Sequence, residues 1–182
     1  MKSSLVSIAT PVRLRQRFGS LLLLVAVLTL VGLIGAQLGQ RHNPNPKPVA
    51  YLGPDGVPEV VLQPNQVDQY VTTGRINGQA VDFLVDTGSA DVAMPYMLAQ
   101  RLGLRLKRGG YSKTGNGNVA TWHATLDQVE VGGLVVTDVK ATVLPNMQGE
   151  EALLGMSYLK HMEVVLRGGT LSLRPLLAAA DS

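Results

Sequence analysis

Hydrophobic and polar positions follow different rhythms along this chain, and each rhythm marks a different kind of segment. From Leu21 to Leu38 there is no charge, and Thr29 and Gln37 are the polar interruptions. Coiled as a helix, these eighteen residues would span about 27 Å, just enough to cross a hydrocarbon core of about 30 Å. Prolines then stand at positions 44, 46, 48, 54 and 58, a density that removes backbone donors and favours extended conformations. Beyond them the pattern is that of strands and tight turns. Asp68 to Val85 reads as two runs around Asn77-Gly78, a pair suited to a hairpin turn with positive φ at both central positions. The second run, Ala80 to Val85, leads straight into Asp86-Thr87-Gly88-Ser89. Met94 to Leu102, with Pro95 near its first turn and Gly103 after it, predicts a helix. Strands are expected near Gly110–Thr114, Val119–Val131 and Leu134–Leu144, broken at Gly115-Asn116-Gly117 and Gly132-Gly133. A short helix over Met156–Lys160 and a last hairpin, Glu163–Leu166 with Thr170–Arg174 turning at Gly168-Gly169, complete a mainly β reading.

Charge divides the chain in the same places. The 182 residues carry 16 basic and 13 acidic side chains, a net charge of +3. Residues 1–50 hold six of the basic groups and no acid, which leaves ten basic against thirteen acidic groups in residues 51–182. The basic excess therefore belongs to the N-terminus, and a mildly acidic folded part is not expected to bind nucleic acid. Arg13, Arg15 and Arg17 precede the apolar run and predict a cytoplasmic N-terminus with everything after Leu38 translocated, to the periplasmic side of the inner membrane in a bacterium. A cleaved signal peptide ending at Ala36 is the competing reading. Its apolar stretch is long for that role, and Ile34 is a poor match to a small residue at −3. The expected organisation is a basic tail over 1–20, a transmembrane signal-anchor in the lipid bilayer over 21–38, a proline-rich spacer over 39–58, a folded domain over 59–175 and a tail over 176–182. There is no cysteine, and the three histidines, His42, His123 and His161, are scattered. No disulfide, metal site or cofactor is expected.

Candidate chemistry concentrates at Phe83-Leu84-Val85-Asp86-Thr87-Gly88-Ser89-Ala90. An apolar strand delivering an acid into a tight Gly-containing turn sets a carboxylate at the end of a rigid element, among backbone N–H groups and hydroxyls. The plain alternative is an Asx-type turn whose Asp serves only its own loop. Asp82, Asp91, Asp127 and Asp138 read as solvated strand or loop residues. His123, beside Trp122, reads as a surface strand residue, and Arg101, Arg105, Lys107 and Arg108 as cations that suit the C-terminus of the helix before them.

A second segment changes the weight of the first. Ala152-Leu153-Leu154-Gly155, followed by Met156-Ser157-Tyr158-Leu159, lies downstream of Asp86-Thr87-Gly88-Ser89, and the ordered pair resembles the retropepsin-like aspartic proteases, including membrane-anchored bacterial members with one Asp-Thr-Gly motif per chain. The resemblance covers roughly residues 60–175. It implies a closed β-barrel forming half of an acid protease, with Leu153, Leu154 and Gly155 on the strand that crosses beneath the active-site loop. It also implies a homodimer with its site on the two-fold axis, one Asp86 from each subunit, and a polypeptide substrate bound in extended conformation. Carboxylates about 3 Å apart share a proton, and a water between them would attack the peptide carbonyl. By the same resemblance Thr87 would bond across the axis, Gly88 would let the two loops approach, and Ser89 would hydrogen-bond the outer oxygen of the carboxylate. The order of the motifs makes Thr114, Gly115, Asn116 and Gly117 the tip of a flap, whose plain alternative is a surface hairpin. Tyr111 and Trp122 receive no assigned contact. A non-catalytic dimeric module of the same fold that binds extended peptides by strand addition is the alternative function. A phosphate-binding loop of the actin kind would need a far longer chain and a second loop.

Overall fold

A computed structural model describes residues 43–114 and 117–176. The expected apolar span at 21–38 and its basic flank lie outside the described residues. Among the described residues no helix is long and apolar enough to cross a membrane.

Eleven strands and two short helices are described. In chain order they are β1 (Tyr51–Leu52), β2 (Pro58–Leu62), β3 (Val71–Ile76), β4 (Gln79–Val85), β5 (Val92–Pro95), α1 (Tyr96–Arg101), β6 (Lys107–Thr114), β7 (Gly117–Val131), β8 (Leu134–Leu144), β9 (Ala152–Leu154), α2 (Met156–Leu159), β10 (Met162–Arg167) and β11 (Thr170–Pro175). One sheet runs β3-β4-β9-β5-β8-β7-β6, and a further pairing of β3 with β7 closes its first six strands into a barrel. Closure removes the free sheet edges that an open sheet would leave. A smaller sheet, β1-β2-β11-β10, stands beside it. The core is aliphatic, with Phe83 and Tyr158 as its large rings. Burying each such side chain contributes about 1.5–3 kcal/mol. The Tyr158 hydroxyl donates to the Leu134 carbonyl at 2.9 Å. Burial, with Glu130 nearby, pushes that phenol well above its ordinary range.

Local turn chemistry forms as expected. Asn77 and Gly78 have φ of 48° and 81° and join β3 to β4. Gly132-Gly133 joins β7 to β8, and Gly168-Gly169 joins β10 to β11. The first helix differs from expectation. Met94 and Pro95 end β5, every residue of which is buried, and the helix begins only at Tyr96 with Pro95 as its N-cap. A strand covered on both faces has no polar alternation, so its four apolar residues merge in sequence with the helix that follows.

The proline-rich stretch is also revised, because from Asn43 onward it belongs to the folded unit. Asn43 Nδ2 donates to Thr73 Oγ1 and to Asp82 Oδ1, both at 2.8 Å. Asn45 bridges Gln63 and Val71 through its side chain, and its carbonyl accepts from the Thr73 N–H. The Ala50 N–H donates to the Gly132 carbonyl, and β1 pairs with β2. Proline removes donors, but the asparagines between the prolines supply side-chain donors and acceptors in their place. Asp82 is accordingly a clasp residue rather than a merely solvated one, since it also accepts from Thr73 Oγ1 at 2.5 Å. In the smaller sheet, Arg174 on β11 pairs with Asp55 in the turn between β1 and β2.

Candidate active site

The Asp86 loop hangs between two strands of the barrel. β4 delivers it and β5 receives it, while β9 runs between them, parallel to β4 (Leu84 opposite Leu153, Val85 opposite Leu154) and antiparallel to β5 at Ala93 and Leu153. The Asp86 N–H donates to the Leu154 carbonyl at 3.2 Å, which continues the ladder one step into the loop. The first turn of α2 then ties down the far side. The Met156 N–H donates to the Ser89 carbonyl at 2.8 Å, and the Ser157 N–H to the Ala90 carbonyl at 2.9 Å. These N–H groups have no acceptor within a helix that starts at Met156, so the loop carbonyls satisfy them.

Gly155 makes this crossing possible. A Cβ there would lie 2.7 Å from the Ser89 carbonyl oxygen and from the Asp91 carbonyl carbon, and closer still to the Asp91 oxygen. The loop and the strand beneath it touch backbone to backbone at this point. Leu154 is buried and Leu153 half-buried, so the three predicted loop-packing residues come together under Asp86.

Within the loop, the Gly88 N–H donates to Asp86 Oδ1 at 2.9 Å, a charge-assisted bond that fixes the carboxylate. A Cβ at Gly88 would stand 3.2 Å from that same oxygen. Asp86 is half-buried, while Thr87 and Gly88 are exposed at the tip. Ser89 departs from its expected role. Its Oγ donates to the Asp91 carbonyl at 2.8 Å rather than to the carboxylate, because a serine hydroxyl readily reaches backbone two residues away.

Two residues not assigned from sequence complete the support. Buried Ser157 accepts from the Val92 N–H at 3.0 Å and donates to the Lys140 carbonyl at 2.8 Å, stitching α2 to β5 and β8. Asp91, read from sequence as merely solvated, accepts from Thr142 Oγ1 at 2.8 Å, and that hydroxyl lies 3.4 Å from His123 Nδ1. These partners lie 17 to 65 positions apart, and no local pattern marks them. Among the described residues no group of three His, Asp or Glu side chains could hold a metal.

The expected flap is a real hairpin of β6 and β7, with Lys113 opposite Asn118 and Thr114 opposite Gly117. Gly115 and Asn116 lie outside the described residues. Trp122 stacks at a tilt on Tyr96, ring centroids 5.4 Å apart, which makes it a packing residue, whereas Tyr111 is exposed.

Residues 72–161 match the family described as "gag-polyprotein putative aspartyl protease", a segment that runs from β3 through the Asp86 loop to α2. A retropepsin-like aspartic protease from Rickettsia conorii superposes with a TM-score of 0.58 at 26% identity, over 71% of this chain and 96% of that one. The chain belongs to the retropepsin-like aspartic protease family. An uncharacterized protein encoded in the cobV 5′ region of a Sinorhizobium species is 31% identical over 124 residues, 66% of this chain. This retropepsin-like chain spans about half, 53%, of that curated relative's length. The EIAV protease in complex with an inhibitor overlaps less, with a TM-score of 0.44 at 21% identity, over 50% of this chain and 86% of that one.

Proposed function

We propose that this retropepsin-like chain is one half of an aspartic endopeptidase, in which two copies meet loop to loop and each contributes one Asp86. The observation that carries the reading is the half-buried Asp86 carboxylate, held by the Gly88 N–H on a loop packed backbone to backbone against Gly155, with Thr87 and Gly88 exposed beside it. That arrangement offers one rigid acid and an open surface through which a second copy can approach. Two such carboxylates, brought side by side, share one proton. The ionised member takes a proton from the water between them as the water oxygen attacks the peptide carbonyl. The protonated member hydrogen-bonds the carbonyl oxygen, so the tetrahedral intermediate forms without a covalent enzyme adduct. The β6–β7 hairpin is the element suited to close over an extended substrate and exclude water. Residues 21–38, with their arginine flank, are proposed to anchor the protein as a single-pass membrane protein whose protease domain faces away from the cytoplasm.

The test is cleavage of a denatured protein substrate across acidic and neutral pH by wild-type, Asp86→Asn and Asp86→Ala proteins, with sedimentation velocity to count chains. Loss of cleavage in both variants with the dimer intact is the expected result. Cleavage that survives in the Asp86→Ala protein, or a wild-type protein that stays monomeric while active, sinks the proposal.

A further inference from the structure

Beside the Asp86 loop lies a cleft of about 620 Å³ lined by Asp91, Arg105, Lys107, His123, Thr125 and Lys140. Strand register explains why these groups converge. Lys107 stands opposite His123, His123 opposite Thr142, and Thr125 opposite Lys140. Directly opposed residues project on the same face of a sheet, while the neighbouring Ala124 and Ala141 are buried. The face is thus the outer one of β6, β7 and β8. The cleft holds three cations, Arg105, Lys107 and Lys140, against one acid. That acid is already engaged, for Asp91 Oδ2 accepts the Thr142 hydroxyl. Among the described residues none of the three cations has an ion-pair partner within 4.0 Å.

The cleft opens where the active loop ends. Asp91 is the fifth residue after Asp86, and its carbonyl is held by Ser89 Oγ. An extended peptide advances about 3.3 Å per residue, so the cleft lies within about five residues of a scissile bond placed at Asp86. The charge here is local. Residues 51–182 carry more acid than base, which gives no extended positive surface for a polyanion but leaves a concentrated site for one carboxylate.

We propose that this cleft is a subsite selecting an acidic side chain, Asp or Glu, of the polypeptide substrate near the scissile bond. This rests on the reading of the chain as a protease, so the test separates binding from cutting. Full-length Asp86→Asn protein is titrated by fluorescence anisotropy with labelled decapeptides of Ala, Val and Leu in which one Glu is walked through each position, each paired with its Gln counterpart. At least one Glu peptide should bind about tenfold more tightly than its Gln twin at low salt, a difference of about 1.4 kcal/mol. That advantage should fall below about twofold in the Lys107→Gln/Lys140→Gln variant, and in unmutated cleft protein at about 0.3 M salt, where screening is strong. Arg105→Gln, in the loop before β6, should reduce it in part. Equal affinity of Glu and Gln peptides at every position, or an advantage untouched by both salt and the double substitution, overturns the proposal. A wild-type protein that shows the preference yet cuts nothing would refute the protease reading and leave the subsite standing. Cleavage with no acid preference would overturn the subsite alone.

Discussion

Replacing Gly155 by alanine tests the idea that the Asp86 loop is held by backbone contact with the strand beneath it. The added Cβ would meet the Ser89 carbonyl oxygen and the Asp91 carbonyl carbon at 2.7 Å. Ordinary heavy-atom contact begins at about 3.5 Å, so the loop and the strand must separate by roughly 0.8 Å or more. Neither neighbour is the end of a flexible side chain that could swing away. Overpacking of this kind costs about 1–3 kcal/mol. The separation also strains the bonds from the Met156 and Ser157 N–H groups to the Ser89 and Ala90 carbonyls, each contributing about 1 kcal/mol. The expected loss is about 3–4 kcal/mol, read as a fall in the urea midpoint at unchanged slope. In a domain of roughly 130 residues the melting temperature should fall by about 10–15 °C. Gly110→Ala is the control, because a Cβ there meets nothing within 4 Å, and its midpoint should move by less than about 0.5 kcal/mol. A Gly155→Ala protein within 1 kcal/mol of wild type, by roughly the accuracy of such a measurement, would refute the reasoning. It would mean that the loop is free to move and that its rigidity does not come from this crossing.

Other outcomes follow from the same contacts. Ser157→Ala leaves the Val92 N–H and the Lys140 carbonyl without their buried partner and should cost about 2–3 kcal/mol in denaturant unfolding, whereas Ser157→Thr, which keeps the hydroxyl, should cost less. Asn45→Ala removes the bonds to Gln63 and Val71; it should lower stability by about 1–2 kcal/mol and speed hydrogen exchange of the Thr73 N–H, which donates to the Asn45 carbonyl, and an unchanged exchange rate would contradict the clasp. The Arg174 guanidinium, aided by the Val57 N–H, holds the Asp55 carboxyl below its usual range. A lowered folded-state pKa contributes stability that is complete above the unfolded value of about 4 and disappears as pH falls through the folded value. Wild type should therefore exceed Asp55→Asn in urea midpoint at pH 6, with the gap narrowing below about pH 4; a gap that widens on acidification would reverse the assignment.

Much of the fold is legible in the chain where the cause is local. Asn77-Gly78 and Gly168-Gly169 turn hairpins because a few residues at a turn decide its φ values. The run from Phe83 to Val85 ending in Asp86-Thr87-Gly88, and Leu153-Leu154-Gly155 downstream, point to one another as an ordered pair, and the fold does bring them into contact. The boundary of α1 was not legible, because β5 is covered on both faces and its apolar run carries no period.

What the sequence by itself determined is the turns at Asn77-Gly78, Gly132-Gly133 and Gly168-Gly169, the apolar strand that ends in Asp86, and the placing of the basic excess in residues 1–50. Each depends on residues adjacent in the chain or on simple composition. Only the tertiary structure decided that the proline-rich stretch is clasped by Asn43 and Asn45, and that the Ser89 hydroxyl serves the Asp91 backbone. It alone brought Asp91, Thr142 and His123 together and aligned Lys107 and Lys140 on one face. The physical reason is barrel closure. Joining β3 to β7 and threading β9 between β4 and β5 places residues dozens of positions apart within hydrogen-bond distance, and a hydroxyl or carboxylate then bonds to whichever partner closure has brought nearest.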